Sequence, residues 1–181
     1  VAESAKQPPI LILYDLDQRS RAQAHSLPQQ IEVKTTWDGV GFRLGEVSMV
    51  APMEQVREIL THVTISRIPG AKDWVRGVAN VRGNLLPILD LHGFIFGKVT
   101  KMSRHSRVLV MRHKGVTAGL VVDEVLGMRH FLEEEFGRDV DEKNPVLRSL
   151  LSGMFHQSGD VWGVFDIHKL ADLPEFMQVA A

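Results

Sequence analysis

The stretches 77-GVANVRGNLLPILDLHGF-94 and 153-GMFHQSGDVWGVFDIHKL-170 decide the fold, because one repeats the other. Laid together, Gly77 meets Gly153, Gly83 meets Gly159, Asp90 meets Asp166 and His92 meets His168. Apolar positions agree too: Leu85 with Val161, Ile88 with Val164, Leu91 with Ile167. A second pair lies upstream, 40-VGFRLGEVSMVAPMEQVREI-59 and 109-LVMRHKGVTAGLVVDEVLGM-128, aligning Arg43 with Arg112, Val47 with Val116 and Val56 with Val125. Both matches run in the same order, so one unit is used twice along the chain.

Each unit reads as short strands joined by tight turns. The runs 40-VGFRL-44 and 47-VSMVA-51 flank Gly45-Glu46, and 107-RVLVMRH-113 and 116-VTAGLVV-122 flank Lys114-Gly115, two hairpins with two-residue turns. A further hairpin is expected from 78-VANVR-82 and 85-LLPILDL-91 around a Gly83-Asn84 turn, with Val81 facing Leu86 and Ala79 facing Ile88. Its counterpart would turn at Gly159-Asp160. Between hairpins, Met53, Val56, Ile59 and Leu60 recur at helical spacing after Pro52, which predicts a short helix. Helices are also expected over 131-FLEEEF-136 and over 145-PVLRSLL-151, the latter with Asn144 as N-cap. The segment at about 10–30, ahead of Pro28, has a helical mix of apolar and polar residues and reads as an appendage. Four short strands per unit, bounded by turn signals, suggest two small curved sheets or barrels in a mainly β protein.

Composition removes several classes of function. A net charge of -1 over 181 residues lacks the basic excess of a nucleic-acid binder. No apolar run reaches the length of a membrane span, and 10-ILILY-14 is too short for the core of a signal peptide. The absence of cysteine excludes disulfides, thiol catalysis and zinc–thiolate sites, and fits a reducing cytoplasm.

Candidate chemistry is sparse. Asp90-x-His92 and Asp166-x-His168 could ligate a metal, as in a metal-dependent hydrolase, if all four converged. An aspartate ending a strand ahead of apolar residues is better explained as the cap of a short helix. The glycines fit neither the P-loop nor the dinucleotide-binding pattern, and there is no H-E-x-x-H or G-x-S-x-G. No residue set supports catalysis, and no cofactor is expected. Two charged residues stand out: Glu58, expected at the end of the short helix, and Arg82, ending a strand. Their counterparts in the second unit are Gly127 and Ser158. Charge present in one copy only suits a partner-specific surface. It also suits an ordinary solvated pair contributing under ~1 kcal/mol.

The order 42-FRLGEVSMVAPMEQVREIL-60, 65-ISRIPGAKDWVRGVANVRGNLLPILDL-91, 107-RVLVMRHKGVTAGLVVDEVLGM-128 and 161-VWGVFDIHKL-170 resembles the CheW family of chemotaxis coupling proteins. The likeness spans about 37–176 and is most specific at 75–91. Residues 1–36 lie outside it as an N-terminal extension. The resemblance implies two intertwined five-stranded SH3-like β-barrels, in sequence about 37–105 and 106–176, with a hydrophobic groove between them. It implies a non-catalytic, cytoplasmic adaptor recruited to membrane-associated receptor arrays. Its implied partners are the cytoplasmic tip of a methyl-accepting chemoreceptor, the regulatory domain of a CheA-like histidine kinase, and other CheW-like proteins. Within the family, 77-GVANVRG-83 and 116-VTAGLVVDEVLGM-128 are similar to the branch that serves type IV pilus twitching motility. A flagellar chemotaxis CheW and an isolated kinase regulatory domain are the alternatives. The extra N-terminal segment and the tail 171-ADLPEFMQVAA-181 favour a standalone protein. Carried over by position, the family's glutamate–arginine pair falls on Glu58 and Arg82, flanked by Val56 and Ile59; Gly119 and Val125 fall on a strand and turn lining the groove. If that pair is partly buried, losing Arg82 alone should destabilise the fold as well as binding, by up to ~3–5 kcal/mol.

Overall fold

Four two-residue turns set the hairpins: Gly45-Glu46, Arg82-Gly83, Lys114-Gly115 and Ser158-Gly159. In the last three both central residues have positive φ, for example 52° and 84° at Arg82 and Gly83. That pair of values matches the right-handed twist of the flanking strands, and a second-position glycine adopts it without strain. Gly45-Glu46 and Lys114-Gly115 are the turns the sequence predicts. The other two fall one residue earlier than expected, so Ala79 faces Leu86 and Val81 faces Asn84. Gly83 and Gly159 serve as second rather than first turn residues, which moves every pairing in those hairpins by two.

In a computed structural model that describes residues 8–23 and 35–178, the first unit forms β1 (Thr36–Leu44), β2 (Val47–Pro52), β3 (Val56–Leu60), β4 (Ile65–Ser66), β5 (Val75–Val81) and β6 (Asn84–Asp90). The second forms β7 (Arg107–His113), β8 (Val116–Val122), β9 (Glu124–Leu132), β10 (Phe136–Gly137), β11 (Leu151–Gln157) and β12 (Asp160–Phe165). The helices are α1 (Pro9–Gln23), α2 (Leu91–Phe96), α3 (Pro145–Leu150), α4 (Ile167–Asp172) and α5 (Pro174–Met177). The appendage helix expected at about 10–30 is observed as α1; its remainder, 24–30, lies outside the described residues. Asn144 caps α3 as expected, its Oδ1 accepting from the Val146 and Leu147 amides.

Two helix expectations are corrected. Met53–Gln55 makes one 3-10 turn, and Val56–Leu60 is a strand paired with β7. That strand alternates regularly, but exposed Ile59 is apolar and half-buried Glu58 is charged, so its apolar residues fall at spacings that imitate a helix. Glu58 therefore stands on a strand. Over 131–136, Phe131 and Leu132 end β9, Glu133–Glu135 make a 3-10 turn and Phe136 begins β10.

The two six-stranded sheets run β10-β11-β12-β2-β1-β9 and β4-β5-β6-β8-β7-β3. Each takes a hairpin from one unit and four strands from the other, and the orders match when the units are exchanged. In each sheet five strands have five or more residues and the sixth has two. The joins between units are parallel, β2 with β12 and β6 with β8; the other pairings are antiparallel. Bulges also correspond, at Arg76 against Ser152 and at Arg57 against Leu126. The result is the mainly β, intertwined, SH3-like architecture expected.

Three cores follow from this exchange. The largest lies between the sheets, where Phe42, Leu44 and Met49 of one hairpin join Leu109, Met111 and Leu120 of the other. A smaller aliphatic core of Ala79, Leu86, Ile88, Val108, Val110 and Val121 lies on the second sheet. Its counterpart on the first sheet is aromatic, with Phe131, Phe155 and Trp162 beside Val50 and Val164.

Candidate protein-binding surface

β3 is an edge strand of the second sheet, and its half-buried residues Val56, Glu58 and Leu60 alternate with exposed Arg57 and Ile59. Arg82 opens the β5–β6 turn, which Asn80 braces by accepting from the Gly83 amide at 2.9 Å. Across the sheet, Arg82 Nη2 donates to Glu58 Oε1 at 2.5 Å. The two side chains are unequally placed: Arg82 is 79% exposed and Glu58 25%. Glu58 thus acts as an anchor that holds a guanidinium out toward solvent, with donors to spare. The pair is partly buried at its glutamate end alone, so the stability cost of losing the exposed Arg82 falls toward that of a surface ion pair. Ile59 and Leu85 give the surface apolar area, Leu85 being 75% exposed.

Of the sequence-predicted site residues, Val56, Glu58 and Ile59 share β3, and Arg82 joins them through its ion pair. Gly119 lies buried inside the second sheet on β8, where an added Cβ would stand 2.6 Å from Val108 Cγ1 and 2.8 Å from Ile88 Cδ1. Val125 is on β9 of the first sheet, a strand rather than a turn, opposite Phe42 and packed on the central core. Those two are not brought to the Glu58–Arg82 surface. Gly119 is where the repeat places Val50 of the aromatic core, a correspondence visible in the alignment of the two units.

The paired Asp-x-His motifs occupy separate places. Asp90, with no exposed surface, caps α2 through the Gly93 amide at 2.8 Å and accepts from Thr100 N and Oγ1. Arg76 Nε stands 3.7 Å from the same carboxylate. Asp166 caps α4 through the His168 and Lys169 amides and accepts from Gln55 Nε2. His92 donates from Nδ1 to the Lys98 carbonyl, since a carbonyl only accepts. His168 stacks on His113 with centroids 4.3 Å apart. Among the described residues no group of three His, Asp or Glu could hold a metal ion. One carboxyl is shifted: Asp172 is held below the ordinary carboxylate range, first by the hydrogen bond from Lys114 and also by His113.

Two interleaved barrels with capped helices define a fold class, to which the sequence comparisons give a family. Residues 38–175 match the CheW-like domain, and the chain belongs to that family. It is 44% identical over 174 residues to Protein PilI of Pseudomonas aeruginosa, covering 96% of this chain and 97% of that one. It is 29% identical over 113 residues to chemotaxis protein CheW of Helicobacter pylori, covering 62% and 68% of the two chains. The crystal structure of scaffolding protein TtCheW from Thermoanaerobacter tengcongensis superposes with a TM-score of 0.66 at 23% identity, over 77% of this chain and 95% of that one. No helix among the described residues is long and apolar enough to cross a membrane.

Proposed function

We propose that this chain is a non-catalytic adaptor linking the cytoplasmic tip of methyl-accepting chemoreceptors to the regulatory domain of a CheA-like histidine kinase, in the system that controls type IV pilus twitching motility. The observation that carries the proposal is the Glu58–Arg82 pair, in which Glu58 on the edge strand β3 holds out the guanidinium of the β5–β6 turn, a pair that the other repeat lacks. An edge strand offers unpaired backbone groups, and an exposed arginine offers planar donors, to an incoming surface. High identity to PilI over nearly the whole chain supports the pilus branch.

An adaptor needs two surfaces and a stiff body between them, and its message is a difference in affinity between partner states. Sheets that exchange hairpins supply the stiffness, because neither can shift without disturbing the core they share. Multiple weak contacts in an array then gain strength by avidity. The test is calorimetric titration of the full chain with a pilus-system receptor tip and with the kinase regulatory domain. Binding to both, separately and together, is expected; binding to neither overturns the adaptor assignment.

A further inference from the structure

The two repeats differ at one place where symmetry would make them alike. At the end of β6, Asp90 is sealed by the segment that follows α2: Thr100 donates its amide to Oδ2 and its hydroxyl to Oδ1, at 2.8 and 3.0 Å. Arg76, at the bulge of β5, closes over the same place and donates to the Thr100 carbonyl at 2.9 Å. At the end of β12 the equivalent Asp166 is only half buried, and the equivalent bulge residue is Ser152. Asp166 Oδ1 serves Gln55 and the α4 amides, whereas among the described residues Oδ2 has only the Ser152 hydroxyl, at 3.5 Å.

Beside Asp166 and Ser152 opens a cleft of about 420 Å³. Trp37, Pro52, Phe136, Phe155 and Val164 form its apolar lining. Among the described residues the charged ones at the cleft are Glu133 and Asp166, and no basic side chain lines it. The cleft thus offers acceptors and apolar surface, and lacks the donors that the other lobe supplies from its own chain. Backbone or hydroxyl donors to a carboxylate are charge-assisted, and more effective where apolar walls exclude water.

We propose that the cleft beside Asp166 is a docking site for an extended, cationic segment of a partner protein, one that places a serine or threonine between lysine or arginine residues. The chain's own 98-KVTKM-102 is the pattern for such a segment, since its threonine fills the matching place in the other lobe. The positive flanks complement Glu133 and Asp166, and the hydroxyl and amide complement Asp166 Oδ2. This site is on the sheet opposite to the Glu58–Arg82 surface and does not rest on the adaptor assignment.

The test is a titration of the full, isotope-labelled chain with the peptide GKVTKMS, followed by amide and indole shifts in NMR. Saturable shifts at Trp37, Phe136, Ser152 and Asp166 are expected. The Asp166→Asn variant keeps a capping oxygen for α4 but loses the charge, and binding about tenfold weaker is expected from loss of a charge-assisted hydrogen bond. A control peptide, GEVVEMS, should give no such shifts. Absence of saturable shifts at millimolar peptide, or equal binding by Asp166→Asn, overturns the proposal. Cleft signals that move with protein concentration rather than peptide would identify a second copy of this chain as occupant, and overturn it equally.

Discussion

At the scale of single residues, the same geometry separates positions that present chemistry from those that fill space. Gly119 is a packing position: an added methyl must displace Val108 and Ile88 inside a closed core. Gly119→Ala is expected to lower stability by about 1–3 kcal/mol, measured by urea unfolding, and any loss of partner binding should track that loss of fold. Lys114 acts through Asp172, whose folded pKa lies below its unfolded value. The stabilisation is therefore full above the ordinary carboxylate range and disappears as pH falls through the lowered pKa. Lys114→Met should melt below the parent near neutral pH, by a small margin because the pair is exposed, and the two should converge in strong acid. A constant difference at all pH values would contradict this.

At the scale of elements, much was legible in the sequence because the repeat supplies a second witness for each assignment. Asp90 and Asp166, which the repeat aligns, both prove to be caps. Gly77 and Gly153, likewise aligned, both follow bulges. What was not legible is β3, where an exposed apolar Ile59 and a half-buried Glu58 disguise a strand as a helix, and the placement of the Arg82-Gly83 turn. The latter could have been read by analogy with Lys114-Gly115, since positive φ at both central residues favours glycine second as much as first. The covering of Asp90 by Thr100 was illegible as well, because it depends on how a connecting segment folds back. That difference predicts unequal costs. Asp166→Ala should lose about 1 kcal/mol, a cap. Asp90→Ala should lose a further ~1–3 kcal/mol, because it also strands the buried Thr100 amide.

At the scale of the whole molecule, neither sheet can form from one repeat, because each borrows a hairpin from the other. Residues 35–178 should therefore unfold in one step. Trp37 and Trp162 report on the first sheet, and Trp74 lies beside the second. Single-tryptophan variants should give coincident urea midpoints; separate midpoints would mean the lobes are independent. A body that yields as one unit is what an adaptor needs to carry a difference in state from one partner to another.

The central claim is that Arg82 is held out to bind a partner rather than to support the fold. It is tested most directly by Arg82→Asn, measured for affinity to the kinase regulatory domain and receptor tip with thermal melting alongside. Asparagine suits the positive φ of that turn and removes the guanidinium. The account predicts an unchanged or slightly raised melting temperature with at least about tenfold weaker binding to one partner, on the scale of an interfacial arginine. Unchanged binding to both partners would contradict it.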